Sequence, residues 1–268
     1  MRLLNFLRLL FVGLRSPSSL AGTATSDLIF KDAAGRELRH IDLRDASGQF
    51  KWQLRSEVDV SSEAKKFHES GRTAGQRGDS AAAISYFEKA RTAAPEWPYP
   101  VYDAAFTYLL QKQYTKAYEL YREVDEMAPR GFYTAKTAVH TLKLEQEGQL
   151  PAGTYLQLVS LEWLSASDQA QAVQVMTHNL PTFAPGWKSR AALESNSAKR
   201  MAYLDKGLSV PADAETKGFL MINRALLMNE MGKRAEAVKI LGALALDPSS
   251  PQDIEALAKH SLSTILLK

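Results

Sequence analysis

Residues Ala64–Pro95 read AKKFHESGRTAGQRGDSAAAISYFEKARTAAP, and residues Pro98–Pro129 read PYPVYDAAFTYLLQKQYTKAYELYREVDEMAP. Shifted by 34 residues, Phe67, Gly71, Ala74, Ala83, Phe87, Ala90 and Pro95 fall on Val101, Ala105, Tyr108, Ala117, Tyr121, Val124 and Pro129. Small, aromatic and proline positions line up together, and the second copy starts where the first ends. A fixed period of this length marks one supersecondary unit repeated along the chain.

The residue types suit two antiparallel helices per copy. Gly71 and Ala83, like Ala105 and Ala117, let the helices approach closely. Phe87 and Tyr121 fill the space beside them, and Pro95 and Pro129 end each second helix. Gly78-Asp79 makes the turn, since glycine accepts a left-handed backbone and Asp79 can cap the helix that follows. One such hairpin cannot bury its apolar face alone, so copies stack into a solenoid.

On these residues the stretch resembles the tetratricopeptide (TPR) family, over about a quarter of the chain. The resemblance implies a mainly α protein: an α-α superhelical TPR solenoid that binds proteins without catalysis of its own. It also implies that the first helix of each pair lines a concave face. TPR domains that clamp the C-terminal carboxylates of Hsp70 and Hsp90 use Lys and Asn at set groove positions. Here His68 and Arg72 occupy the first two of these, and Asp103 stands at the Asn position of the second repeat. An acid there repels a carboxylate, so no chaperone-tail clamp is expected.

Composition narrows the function classes. The chain has 268 residues, is 45% hydrophobic and carries a net charge of +3. Residues 1–55 hold nine Lys/Arg against five Asp/Glu, whereas residues 56–268 hold 24 against 25. The helical body is therefore near neutral, which argues against a nucleic-acid binder with a concentrated basic face. No run reaches the ~18 apolar residues of a membrane span. With no cysteine, there is no disulfide, thiolate metal site or cysteine nucleophile.

Residues 1–25 contain Arg2, Arg8 and Arg15 and no acid. Leu9–Leu14 is a short apolar run, followed by a small, turn-prone stretch to Ala24. This reads as a signal-like or targeting segment with cleavage at Ala21 or Ala24, leading to export into a periplasm or outside the cell. An organelle transit peptide, or a start without targeting role in a cytoplasmic protein, fits the same residues. Over 26–57 a small N-terminal β-meander of three or four strands is expected. Its turns are Asp32-Ala-Ala-Gly35 and Asp45-Ala-Ser-Gly48, and Phe50, Trp52 and Leu54 alternate toward the first helices. Ser61 or Ser62 then caps the first repeat helix, and two clear repeats occupy 58–131.

Degenerate TPR-like helical repeats follow over 132–268. Helical segments are expected at 132–147, 151–164, 165–181, 186–194 and 198–208, with Ser165-x-x-Asp168 as a capping box. A better repeat returns from Met221 to Pro248, and Ser250-Pro-Gln-Asp253 opens a C-terminal capping helix. How the helices pair across 150–212 is not decided by the residues.

Candidate chemistry is sparse. His40, His68, His140, His178 and His260 stand too far apart in sequence for a helical metal pair, and no catalytic elbow or metalloprotease motif occurs. Gly71–Gly78 lacks the Gly-Lys-Ser/Thr ending of a phosphate loop. No enzyme, metal or cofactor is expected. A binding surface is the better candidate. Lys65, His68 and Arg72 form one helical stripe, with Tyr99, Tyr102 and Phe106 at the same positions one period later and Tyr133, Lys136 and His140 one later still. Lys143 adds a charge. Side by side these make a basic-aromatic groove for an acidic-aromatic protein segment. The same aromatics also suit packing between neighbouring repeats. The rival role is architectural: a subunit of an envelope or secretion assembly that docks through its strands or its last helix.

Overall fold

The computed structural model describes residues 28–31, 37–38, 51–54 and 60–266; the expected targeting segment lies outside these. Strands β1 (Leu28–Lys31), β2 (Glu37–Leu38) and β3 (Lys51–Leu54) form an antiparallel sheet in the order β2-β1-β3. Phe30 stands opposite both Leu38 and Trp52. The expected meander is therefore not formed. A meander needs β3 beside β2, whereas β3 pairs with the other edge of β1. The expected packing of Phe50, Trp52 and Leu54 falls outside the described side chains.

Twelve α-helices follow among the described residues: α1 (Ser62–Gln76), α2 (Ser80–Ala93), α3 (Pro98–Leu110), α4 (Tyr114–Met127), α5 (Ala135–Gln146), α6 (Thr154–Ser160), α7 (Ala166–Asn179), α8 (Ala184–Leu193), α9 (Ser197–Leu208), α10 (Ala214–Glu230), α11 (Arg234–Leu246) and α12 (Gln252–Leu266). Capping starts several of them. Ser61 accepts from the Ala64 N–H at 3.2 Å, and Asp79 accepts from Ala82 at 3.0 Å. Ser165 accepts from the Asp168 N–H and donates to its carboxylate, which is the capping box read from the sequence. Ser250 instead donates to the Leu244 carbonyl and ties down the end of α11.

The period is written in the backbone. At the α1–α2 turn the Gly78 N–H donates to Gly75 O at 2.9 Å and the Asp79 N–H to Ala74 O at 3.0 Å. At the α3–α4 turn the Lys112 N–H donates to Leu109 O and the Gln113 N–H to Tyr108 O, both at 2.9 Å. Gly78 and Lys112 both take left-handed dihedrals, at φ 82° and 58°. The same turn recurs at Gly148 after α5 and at Gly232 after α10. Second helices share an exit of their own: Ala94, Ala128, Leu180 and Asp247 each donate back four residues and accept from the third residue on.

These signatures fix the parity up to Leu180 and again from Gly232, and packing sets it between. Helix α5 is a first helix, and the interrupted run of α6, a 3-10 turn over Leu161–Trp163, and α7 stands in for its second. Helices α8 and α9 then pair, as do α10 and α11, and α12 closes the stack.

Small residues sit where helices meet. Ala83 and Ala117 are fully buried, between Phe87 and Tyr121 and their neighbours. A Cβ on Gly71 would lie 2.5 Å from the Phe87 ring, so only glycine permits this approach. The chain then turns back on itself. Helix α10 packs against α5, the Gln252 N–H donates to Arg130 O, and Arg130 forms an ion pair with Glu255 of α12.

Candidate functional site

The first helices α1, α3 and α5 bring the predicted stripes together, yet most of their aromatics face inward. His68, Tyr102 and Phe106 are 0%, 7% and 5% exposed. That corrects the expectation that they line an open groove, because α1–α3 packing and the aromatic contacts cover them. Lys65 and Lys143 are exposed, and Arg72, Tyr99, Tyr133, Lys136 and His140 are half-buried.

The buried members form a ladder. His68 Nε2 lies 2.8 Å from the Asp103 carboxylate, and its ring stands edge-on to Trp97 at 4.7 Å. Asp103, expected to repel a partner's carboxylate, thus bonds a neighbouring repeat. Tyr99 meets His68 on one side and Tyr133 on the other, at 6.0 and 5.6 Å between rings. The Tyr133 hydroxyl donates to the Tyr99 hydroxyl at 3.0 Å. Thr134 Oγ1 lies between the Tyr102 and Tyr155 hydroxyls, at 2.8 and 3.0 Å. Burial raises the phenols of Tyr99, Tyr102, Tyr133 and Tyr155 above their usual range, so they act as neutral hydrogen-bonding groups.

Two predicted cations are already engaged. Lys136 Nζ donates to Asp125 at 2.6 Å, and Lys143 stands 3.8 Å from Glu147 one turn on. Tyr133 is the odd member: its φ of 48° is left-handed, which a tyrosine adopts at a cost. Apart from Lys136 and Lys143, the members of the stripes that keep some exposure are Arg72, Tyr99 and Tyr133, which lie together, and Lys65 and His140 on the same helices.

A second cluster was not anticipated. Where α10 and α12 meet α5, Glu215 and Asp253 are 1% and 4% exposed. Thr137 of α5 donates to Asp213 at 3.1 Å and lies 3.2 Å from Thr216 Oγ1. Both Glu215 oxygens, and one each of Asp213 and Asp253, lack a hydrogen-bond partner. Burial, reinforced by the Asp213 and Asp253 charges and opposed by Lys188, pushes Glu215 well above the usual carboxylate range. Burial likewise pushes Asp253 up to about 7, against N–H groups at the start of α12 and against Lys188. Asp213 caps α10 by accepting from the Thr216 N–H at 2.9 Å, and its proximity to Asp253 depends on the fold-back. Among the described residues no cluster of His, Cys, Asp and Glu is arranged to hold a metal ion. No helix there is long and apolar enough to cross a membrane.

No family model matches the chain. No curated protein matches it either. Several solved structures do. A thermophilic TPR protein of Thermus thermophilus, TTC0263, aligns with 76% of this chain and 100% of its own, at 18% identity and a TM-score of 0.33. MamA from Desulfovibrio magneticus, as a fragment from residue 41 to its end, aligns with 68% of this chain and 93% of its own, at 12% identity and a TM-score of 0.34. Within the chain itself, the recurrent left-handed turns, the shared helix exits and the equivalent burial of Ala83 with Ala117 and Phe87 with Tyr121 describe one unit used repeatedly. The chain is a TPR-like helical repeat.

Proposed function

We propose that the chain is a non-catalytic scaffold that holds an acidic-aromatic segment of a partner protein on the face shared by α1, α3 and α5. The observation that carries this reading is the half-open edge of the aromatic ladder. Tyr99 and Tyr133 sit side by side there, Tyr133 in a left-handed backbone, with Arg72 near enough to Tyr99 to act on its phenol electrostatically. Amphipathic tyrosines beside a guanidinium are the residue types that dominate protein-binding hot spots. Strained backbone at such a place is a motive for the functional reading. Lys65 supplies a further exposed charge, while Lys136 is less available because it bonds Asp125.

The test is affinity purification with the full chain against the double variant Arg72→Glu, Tyr99→Ala. Tyr102 is unsuitable for substitution because it is buried and bonded to Thr134. A partner captured by the wild type and lost by the variant, at unchanged helicity by circular dichroism, supports the reading. Undiminished capture refutes it. Export is proposed separately from the basic, acid-free residues 1–25. Sequencing the N-terminus of the mature protein supports it with a start after Ala21 or Ala24, and opposes it with an intact Met1.

A further inference from the structure

A different surface carries charge with nothing opposite it. Helices α7, α8 and α9 enclose a half-open groove of about 690 Å³, whose lining includes Val175, His178, Pro181, Trp187, Arg190 and Lys206 and no carboxylate. Its floor is built rather than incidental. Trp187, 9% exposed, donates its indole N–H to Pro181 O at 2.8 Å, which fixes the ring. Arg190 lies over that ring at 5.5 Å and over Tyr203 at 4.4 Å. Its Nη1 donates to Thr177 Oγ1 at 2.8 Å, and the Thr177 hydroxyl in turn donates to Val173 O at 3.0 Å. Held at three points, the guanidinium loses little freedom when it meets an anion.

Neither Arg190 nor the exposed Lys206 is paired with a carboxylate among the described residues. Beside them Val175 is 51% exposed, an apolar shelf next to the charges. Elsewhere among the described residues Arg91, Arg130, Lys136 and Arg224 reach acids. We propose that this groove is a second docking site, which takes a partner-protein segment whose carboxylate side chain stands next to an apolar one. The carboxylate meets Arg190 and Lys206, and the apolar group rests on Val175 and Trp187. The chain's own N-terminal segment does not qualify as occupant, since residues 1–25 carry Arg2, Arg8 and Arg15 and no acid.

The absence of cysteine lets the site be read directly. Val175→Cys on the full chain takes a single environment-sensitive fluorophore. The probes are a capped peptide pool in which glutamate or aspartate stands beside leucine or phenylalanine, the matched glutamine and asparagine pool, and inorganic phosphate. Saturable change with the acidic pool alone, weakened roughly tenfold by Lys206→Glu and likewise by Arg190→Gln, supports the site. Lys206 is exposed, so its variant keeps the test open should Arg190→Gln disturb the fold. No response to the acidic pool, equal response to the amide pool, or indifference to Lys206→Glu overturns the proposal. So does phosphate competing as well as peptide, which reduces the groove to a small-anion site. The substitutions leave Arg72 and Tyr99 untouched, so this result is independent of the scaffold face on α1, α3 and α5.

Discussion

The hairpins α1–α4 and the fold-back of α10 and α12 onto α5 bury their interfaces by opposite means. In the hairpins the equivalent positions Ala83 and Ala117, Phe87 and Tyr121, and Ala90 and Val124 are apolar or aromatic and at most 1% exposed. Their fit depends on area and shape, which pH does not alter. In the fold-back Glu215 and Asp253 are buried beside the half-buried Asp213, with carboxylate oxygens left unpartnered. Burial there favours the protonated form of Glu215 and of Asp253. The apolar seams of the first region are thus indifferent to pH, while the second region carries buried acids that respond to it.

The largest effect expected from breaking this contrast is in the apolar half. Tyr121→Ala empties a site that is 0% exposed and touches both Tyr102 and Tyr155, and should cost about 3–5 kcal/mol in urea unfolding at any pH. A smaller, pH-gated effect belongs to the fold-back. Glu215 and Asp253 have folded values above their unfolded ones, from 3.8 to about 7 for Asp253, so the folded state binds more protons. The Asp253 contribution is full below about pH 4 and is lost as pH rises through about 7, and the raised Glu215 shifts stability in the same direction. Glu215→Gln should flatten this dependence and raise stability at pH 8. A variant as pH-sensitive as the wild type would falsify the protonation account.

Next, Ala83→Leu should overpack the α1–α2 crossing and cost roughly 1–3 kcal/mol, where a neutral result contradicts the register of the repeat. The smallest change sharpens the comparison between the two hairpin turns. Lys112 occupies the left-handed position that Gly78 fills one repeat earlier. Lys112→Gly should therefore stabilise by ~0.5 kcal/mol, read as a slightly higher urea midpoint.

What the sequence revealed follows the same division. The first two hairpins were legible because Gly71, Ala83, Phe87 and Pro95 each recur in kind one period later, and local geometry follows from local residues. The capping box at Ser165 and Asp168 was legible for the same reason. The meander was misread because strand order depends on which edge of β1 receives β3, and no turn residue encodes that. The groove was overdrawn at His68, Tyr102 and Phe106. Helical spacing places side chains on one stripe, but depth depends on Trp97, Thr134 and the neighbouring helices, which spacing does not register. The acids at 213, 215 and 253 were invisible as a group, since they meet only when the chain folds back.

Amide hydrogen exchange on the full chain at pH 5 and pH 8, corrected for intrinsic rates, tests the division between the two regions most directly. The account predicts that residues 214–266 lose protection at pH 8 while residues 62–127 keep theirs. Equal protection of 214–266 at both pH values, or a uniform loss along the whole chain, would contradict it.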